Sequence, residues 1–218
     1  MYLIAFRSVV TLSLALLFFC TAASASDIDI KIDSDPETEP NQQTTETERS
    51  DLRIGISTIY SPDSFAAWGK IKNSQSVSFR GIFWHSSFSV GNLQARLGSE
   101  LILSHHVNYP INGISGPEDS RLGIGFIPVN MLFPLSESKR INPFLFASAG
   151  GIFLNDKLPQ YDGASLNYLL NIGGGFELPL FESTDIQIGY SIQHMSNANT
   201  GDQNPGIDSH SFFISIVL

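Results

Sequence analysis

The chain has 218 residues, 21 acidic against 12 basic, and a formal net charge of −9. No basic patch with interleaved aromatics is present, which argues against a nucleic-acid partner. Its single cysteine, Cys20, rules out a disulfide framework and a thiolate metal site.

Residues 1–25, "MYLIAFRSVVTLSLALLFFCTAASA", carry one positive charge at Arg7, an apolar run from Val9 to Cys20, and small residues at Ala23 and Ala25. That layout predicts a cleaved secretory signal cut after Ala25. The apolar run is shorter than the ~20 residues a membrane span needs. Phe18 and Phe19 precede Cys20 where a lipoprotein signal requires small residues. Residues 26–51 then hold nine acidic and two basic residues and no aromatics, the composition of a disordered acidic tail.

From Leu52 the dominant period is two. Eight alternating runs are expected near 52–61, 76–88, 92–105, 120–133, 143–154, 165–180, 185–196 and 208–218, the second being the least regular. In the first, Ile54, Ile56, Thr58 and Tyr60 share a face opposite Arg53, Gly55 and Ser57. In the sixth, Leu166, Tyr168, Leu170, Ile172, Phe176 and Leu178 oppose Asn167, Asn171, Gly173, Gly175 and Glu177. Long polar connections at 62–75, 106–119, 155–164 and 197–207 alternate with shorter ones at 89–92, 134–142 and 181–184. Runs of this kind, several reaching the ~9–11 residues a tilted strand needs, match an outer-membrane barrel with an even strand number.

The two faces decide which way the strands point. A soluble barrel would turn its large apolar face inward. Here the other face collects Gly, Ser and Asn with Arg53, Arg80, Arg96, Arg121, Glu100 and Glu177, opposite charges that can neutralise each other while filling a narrow lumen. The aliphatic and aromatic face then meets lipid, and closure follows, because an open sheet edge cannot exist in hydrocarbon. The expectation is an all-β protein, an eight-stranded antiparallel transmembrane β-barrel over residues 52–218.

Against that background "QHMSNANTGDQNPGIDSHSFF", residues 193–213, is anomalous. His194 and Ser196 continue the lipid-facing register of Ile186, Ile188, Tyr190 and Ile192. Asp208 continues that of Phe212, Ile214 and Ile216. Residues i and i+2 of a strand share a face ~6.5–7 Å apart, and an antiparallel neighbour comes within ~5 Å. A serine made nucleophilic by a histidine that a carboxylate orients is one reading of this spacing. Ordinary polar residues at a loop is the other.

"HMSNA" followed by "NPGIDSHSFF" resembles the C-terminal signature of the lipid A 3-O-deacylase family (PagL-like), eight-stranded outer-membrane barrels that hydrolyse an ester of lipid A. The family pattern is His-x-Ser-Asn with an acidic residue twelve positions after the serine in a Gly-Ile-acid-Ser setting, as Ser196 to Asp208 and Gly206-Ile207-Asp208-Ser209 stand here. The resemblance implies Ser196 as nucleophile, His194 as base, Asp208 as orienting acid and Asn197 as an oxyanion-holding, substrate-positioning donor. It also implies lipid A of lipopolysaccharide as substrate, with no metal or cofactor. The implied location is the outer membrane of a Gram-negative bacterium, the N-terminal segment periplasmic. A family member carries Glu at the acid position, where this chain has Asp208, shorter by one methylene.

Lys70, Lys72 and Arg121 are candidate cations for lipid A phosphates. His105-His106 lacks further ligands at metal spacing, His210 shares the face of Asp208, and no G-x-S-x-G elbow supports a soluble lipase. Two other readings stay open: a catalytically silent barrel with a structural or adhesive role, and an esterase for another lipid. A homodimer is compatible with the sequence.

Overall fold

Backbone groups in hydrocarbon must be satisfied within the protein, and eight strands with one apolar face do this by closing on themselves. The computed structural model describes residues 52–90, 93–136, 140–159, 162–181 and 183–218. The expected signal and acidic segment therefore lie outside the described residues. The strands are β1 Arg53–Phe65, β2 Gln75–Val90, β3 Leu93–Pro110, β4 Glu118–Pro134, β5 Asn142–Leu158, β6 Ala164–Phe181, β7 Thr184–Ser196 and β8 Ile207–Val217. Each pairs antiparallel with its chain neighbours, and β8 returns to β1. The chain is thus a closed eight-stranded antiparallel barrel of the transmembrane type.

Several strands outrun the sequence-based expectation. β3 continues through "HVNYP" and β5 through "NDKL", so the connections there shrink to 111–117 and 159–163. Polar residues continue a ladder once the strand has left the apolar band, because water tolerates either face. The irregularity expected in β2 corresponds to register shifts at Phe79/Arg80 and Trp84/Ser86.

The outward surface is apolar: Ile54, Ile56, Leu122, Ile124, Phe126, Ile172, Phe176 and Ile214 are all exposed. So large a contiguous apolar belt matches lipid rather than water. Inside, the half nearest the short turns combines ion-paired polar groups with an apolar cluster of Ile82, Trp84, Leu132, Phe144 and Val217. Arg80 meets Glu100 at 2.8 Å, and Asn130 donates to the same carboxylate at 2.6 Å. Arg96 grips Glu177 with both nitrogens, at 2.8 and 3.0 Å, while Gln187 adds a bond at 2.8 Å. The lumen of an eight-stranded barrel is just wide enough to be filled in this way.

The half nearest the long connections differs from the expected polar lumen. Ile102, Tyr109, Ile127, Ile152, Leu154, Leu169, Met195 and Ile207 pack into an apolar cluster there, joined by Ile71 from the β1–β2 connection. Bulges in the β3–β4 ladder, at Gly98/Glu100 and Ile102/His105, shift which side chains point inward. This plug supports, from within, the stretch of wall that carries the candidate site.

Candidate active site on the outer wall

β7 and β8 pair with His194 directly opposite Asp208. Their side chains turn outward, since the alternate residues Gln193, Met195 and Ser209 are buried inside. His194 Nδ1 and Asp208 Oδ1 lie 2.6 Å apart. A carboxylate accepts only, so Nδ1 carries the hydrogen and Nε2 is left with its lone pair available as a base.

No lysine or arginine among the described residues pairs with Asp208. Its Oδ2 accepts three consecutive backbone N–H groups from the β1–β2 connection: Ala67 at 3.0 Å, Trp68 at 2.6 Å and Gly69 at 2.6 Å. The carboxylate is only 1% exposed, whereas the His194 side chain is 17% exposed. Four hydrogen bonds thus offset the loss of water around a buried charge. The Trp68 ring stands edge-on to the His194 imidazole with centroids 5.7 Å apart, and that tryptophan is itself 55% exposed.

Ser196 is the last residue of β7, two on from His194 on the same outward side and opposite Tyr168 of β6. Its hydroxyl makes no hydrogen bond among the described residues, so the structure joins His194 to Asp208 and leaves Ser196 adjacent but unbonded. Triads without substrate are often loose in this way and tighten in the reacting complex.

Asn197 is buried and spent on the 197–206 connection. Its Nδ2 donates to Gln203 O at 2.7 Å, and its Oδ1 accepts from Asn199 N at 3.0 Å. Its own backbone N–H goes to Asn204 Oδ1 at 3.0 Å. That last bond anchors the Asn204 carboxamide one residue from Ser196, with its Nδ2 uncommitted among the described residues. Sequence reasoning passed over Asn204 because Asn-Pro-Gly reads as turn chemistry.

His210 stacks on Phe65 with centroids 4.3 Å apart, and its Nδ1 meets the Tyr190 hydroxyl, so it is engaged lower on the wall. Arg121 turns inward: it bonds Lys157 O and Ser120 O and pairs with Asp119 at 2.8 Å, which removes it as a contact for an outside phosphate. Lys70 and Lys72 are exposed on the connection that caps Asp208. His105 is buried in the barrel while its neighbour His106 is exposed. No group of three His, Cys, Asp or Glu side chains among the described residues is placed to hold a metal.

A family model described as lipid A 3-O-deacylase (PagL) matches residues 65–217, which includes β7, β8 and the connection capping Asp208. No curated protein matches the chain. Among solved structures, the crystal structure of the outer membrane enzyme PagL is similar at 17% identity and a TM-score of 0.54, covering 74% of this chain and 97% of that one. Neisserial surface protein A (NspA) is similar at 11% identity and a TM-score of 0.49, covering 78% of this chain and 97% of that one. At such identities the likeness is one of fold.

Proposed function

The chain belongs to the lipid A 3-O-deacylase (PagL) family, and from that membership and the outer-wall geometry we propose that it is an outer-membrane serine esterase that removes the 3-O-linked hydroxyacyl chain from lipid A. The observation that carries this reading is the 2.6 Å His194–Asp208 contact on the lipid-facing wall, two residues from Ser196. Its hydrogen bonds keep this histidine–carboxylate pair stable on the lipid-facing wall, and it is the pair a serine nucleophile needs.

The reaction follows from the groups at hand. His194 Nε2 takes the Ser196 proton as Oγ attacks the ester carbonyl carbon. The C–O bond to the sugar then breaks, the sugar oxygen takes that proton, and an acyl-serine remains. A water deprotonated by His194 attacks the acyl-serine, and the proton returns to Ser196 as the free hydroxy fatty acid leaves. Asp208 fixes the imidazole's tautomer and supports the imidazolium. Asn204 Nδ2 is the side-chain donor beside Ser196 for the oxyanion, in place of the Asn197 carboxamide, which is buried in its own connection.

Placement suits the substrate. Lipid A stands in the outer leaflet with its esters near the headgroup boundary and reaches an outer-wall site by lateral diffusion. In this reading the long connections face outward from the cell, the N-terminal segment is periplasmic, and Lys70 and Lys72 are the cations offered to the headgroup phosphates.

A fluorophosphonate probe on the detergent-folded chain tests the chemistry, and parallel incubations with lipid A and with a phospholipid test the substrate. Labelling of wild type that Ser196→Ala abolishes, with hydrolysis of lipid A only, is expected. No labelling would leave a silent barrel, and phospholipid hydrolysis alone an esterase for another lipid.

A further inference from the structure

Residues 66–71 of the β1–β2 connection form a strap across the loop end of β8, and nothing in the catalytic motif refers to them. The strap is tied at several points. Lys70 N donates to Pro205 O at 2.5 Å, Ile71 N to Gly206 O at 3.2 Å, and Lys72 N to Gly113 O at 2.9 Å. Ser64 Oγ donates to Ile71 O at 3.1 Å, and the Ile71 side chain is inserted into the apolar plug. One side of the strap is therefore anchored in the barrel. The backbone N–H groups of residues 67–69 converge on a single oxygen of Asp208, an arrangement that favours an anion.

Position 69 has no space for a side chain. A Cβ there would lie 2.7 Å from both C and O of Gly206 and 2.9 Å from Ile207 N, all backbone atoms that cannot swing aside. The strap can reach Asp208 only with glycine at 69. Gly206 is held the same way: its φ is +63°, and a Cβ would come within 3.2 Å of Gly69 Cα and of His194 Cε1. The carboxylate likewise has no slack, with one oxygen 2.6 Å from the imidazole and the other 2.6 Å from two amides.

We infer that the strap is a positioning element of the site, with Gly69 its critical residue, and that its close approach is matched to an aspartate at 208, so that a glutamate there would be one methylene too long. This rests on the proposed esterase reading for its catalytic consequence, though not for its geometry. The strap touches no reacting atom. It acts through Asp208, and through the Trp68 ring, to fix the angle of the His194 imidazole.

The experiment compares Gly69→Ala, Asp208→Glu and the double variant in the detergent-folded chain. Folding is checked by the mobility difference between heated and unheated barrel. Each single variant is expected to lose about 100-fold in kcat on lipid A with KM changed less than about threefold, the scale of a misplacement of about an ångström. The double variant is expected to lose far less than the product of the two, because the positions are coupled. Trp68→Pro deletes one amide donor without touching position 69, and should lose kcat well beyond Trp68→Ala, which keeps that donor; this pair serves if Gly69→Ala does not fold. The far-downfield proton resonance of a carboxylate-bound imidazole Nδ1–H reads the same positioning without turnover. It should be present in wild type and lost in Gly69→Ala and Trp68→Pro. Folded Gly69→Ala or Trp68→Pro with wild-type kcat and an intact resonance, or an Asp208→Glu as active as wild type, would overturn the inference. A wild type that shows the resonance, loses it in these variants, yet hydrolyses no lipid A would sink the esterase reading and leave the positioning role standing.

Discussion

Two buried carboxylates in this barrel are held in opposite ways. Glu100, in the lumen, faces the Arg80 guanidinium at 2.8 Å, and the two charges cancel. Asp208, on the outer wall, meets no lysine or arginine among the described residues but three amides and one imidazole. Amides carry no net charge, so they hold the aspartate without neutralising it. Its full charge stays available to stabilise an imidazolium when one forms. Charge cancelled inside shapes the barrel; charge preserved outside suits chemistry.

That contrast breaks most severely at the acid. Asp208→Asn keeps the shape but offers Nδ1 an amide in place of an anion, and about 10⁴-fold of kcat should disappear, the scale seen when a triad loses its carboxylate. Steady-state rates on lipid A, with folding confirmed, check this. The lumen pair should respond in the other currency. Glu100→Leu leaves the Arg80 guanidinium buried and unpaired, which costs about 3–5 kcal/mol of stability, while kcat of the folded fraction stays within about twofold. Urea unfolding, followed beside rates, separates the two. Replacing both partners, as Arg80→Met with Glu100→Leu, should recover most of that loss, since an apolar pair of similar volume avoids the orphaned charge. The smallest effect belongs to Trp68→Ala. Removing the edge-on ring should cost about 1 kcal/mol, or about fivefold in kcat, by loosening the imidazole.

Much of this was legible from residue patterning. Period-two alternation located all eight strands, and the polarity of the two faces put Arg80, Glu100 and Glu177 inside with Ile54, Ile172 and Ile214 outside. The same alternation set His194 and Asp208 on one outward face, where the β7–β8 register brings them together. What stayed hidden has physical reasons. Ile102, Val107 and Tyr109 point inward in a stretch where bulges change the alternation, so the apolar plug has no signature in a strict two-residue period. Arg121 lies inward as the alternation placed it, but its pairing with Asp119 and with carbonyls that only the closed barrel brings close was not legible, and that pairing removes it as a contact for an outside phosphate. The strap is the least legible of all, because its contribution comes from backbone N–H groups that every non-proline residue possesses. Only Gly69, packed on Gly206, betrays it, and the sequence alone does not say that the two glycines touch.

The most direct test of the account is mass spectrometry of lipid A after incubation with the detergent-folded chain, wild type beside Ser196→Ala. Loss of one hydroxyacyl mass from the 3-position with wild type, and an unchanged substrate with the variant, is the predicted result. Unchanged lipid A with folded wild type, or the same mass loss with Ser196→Ala, would contradict it.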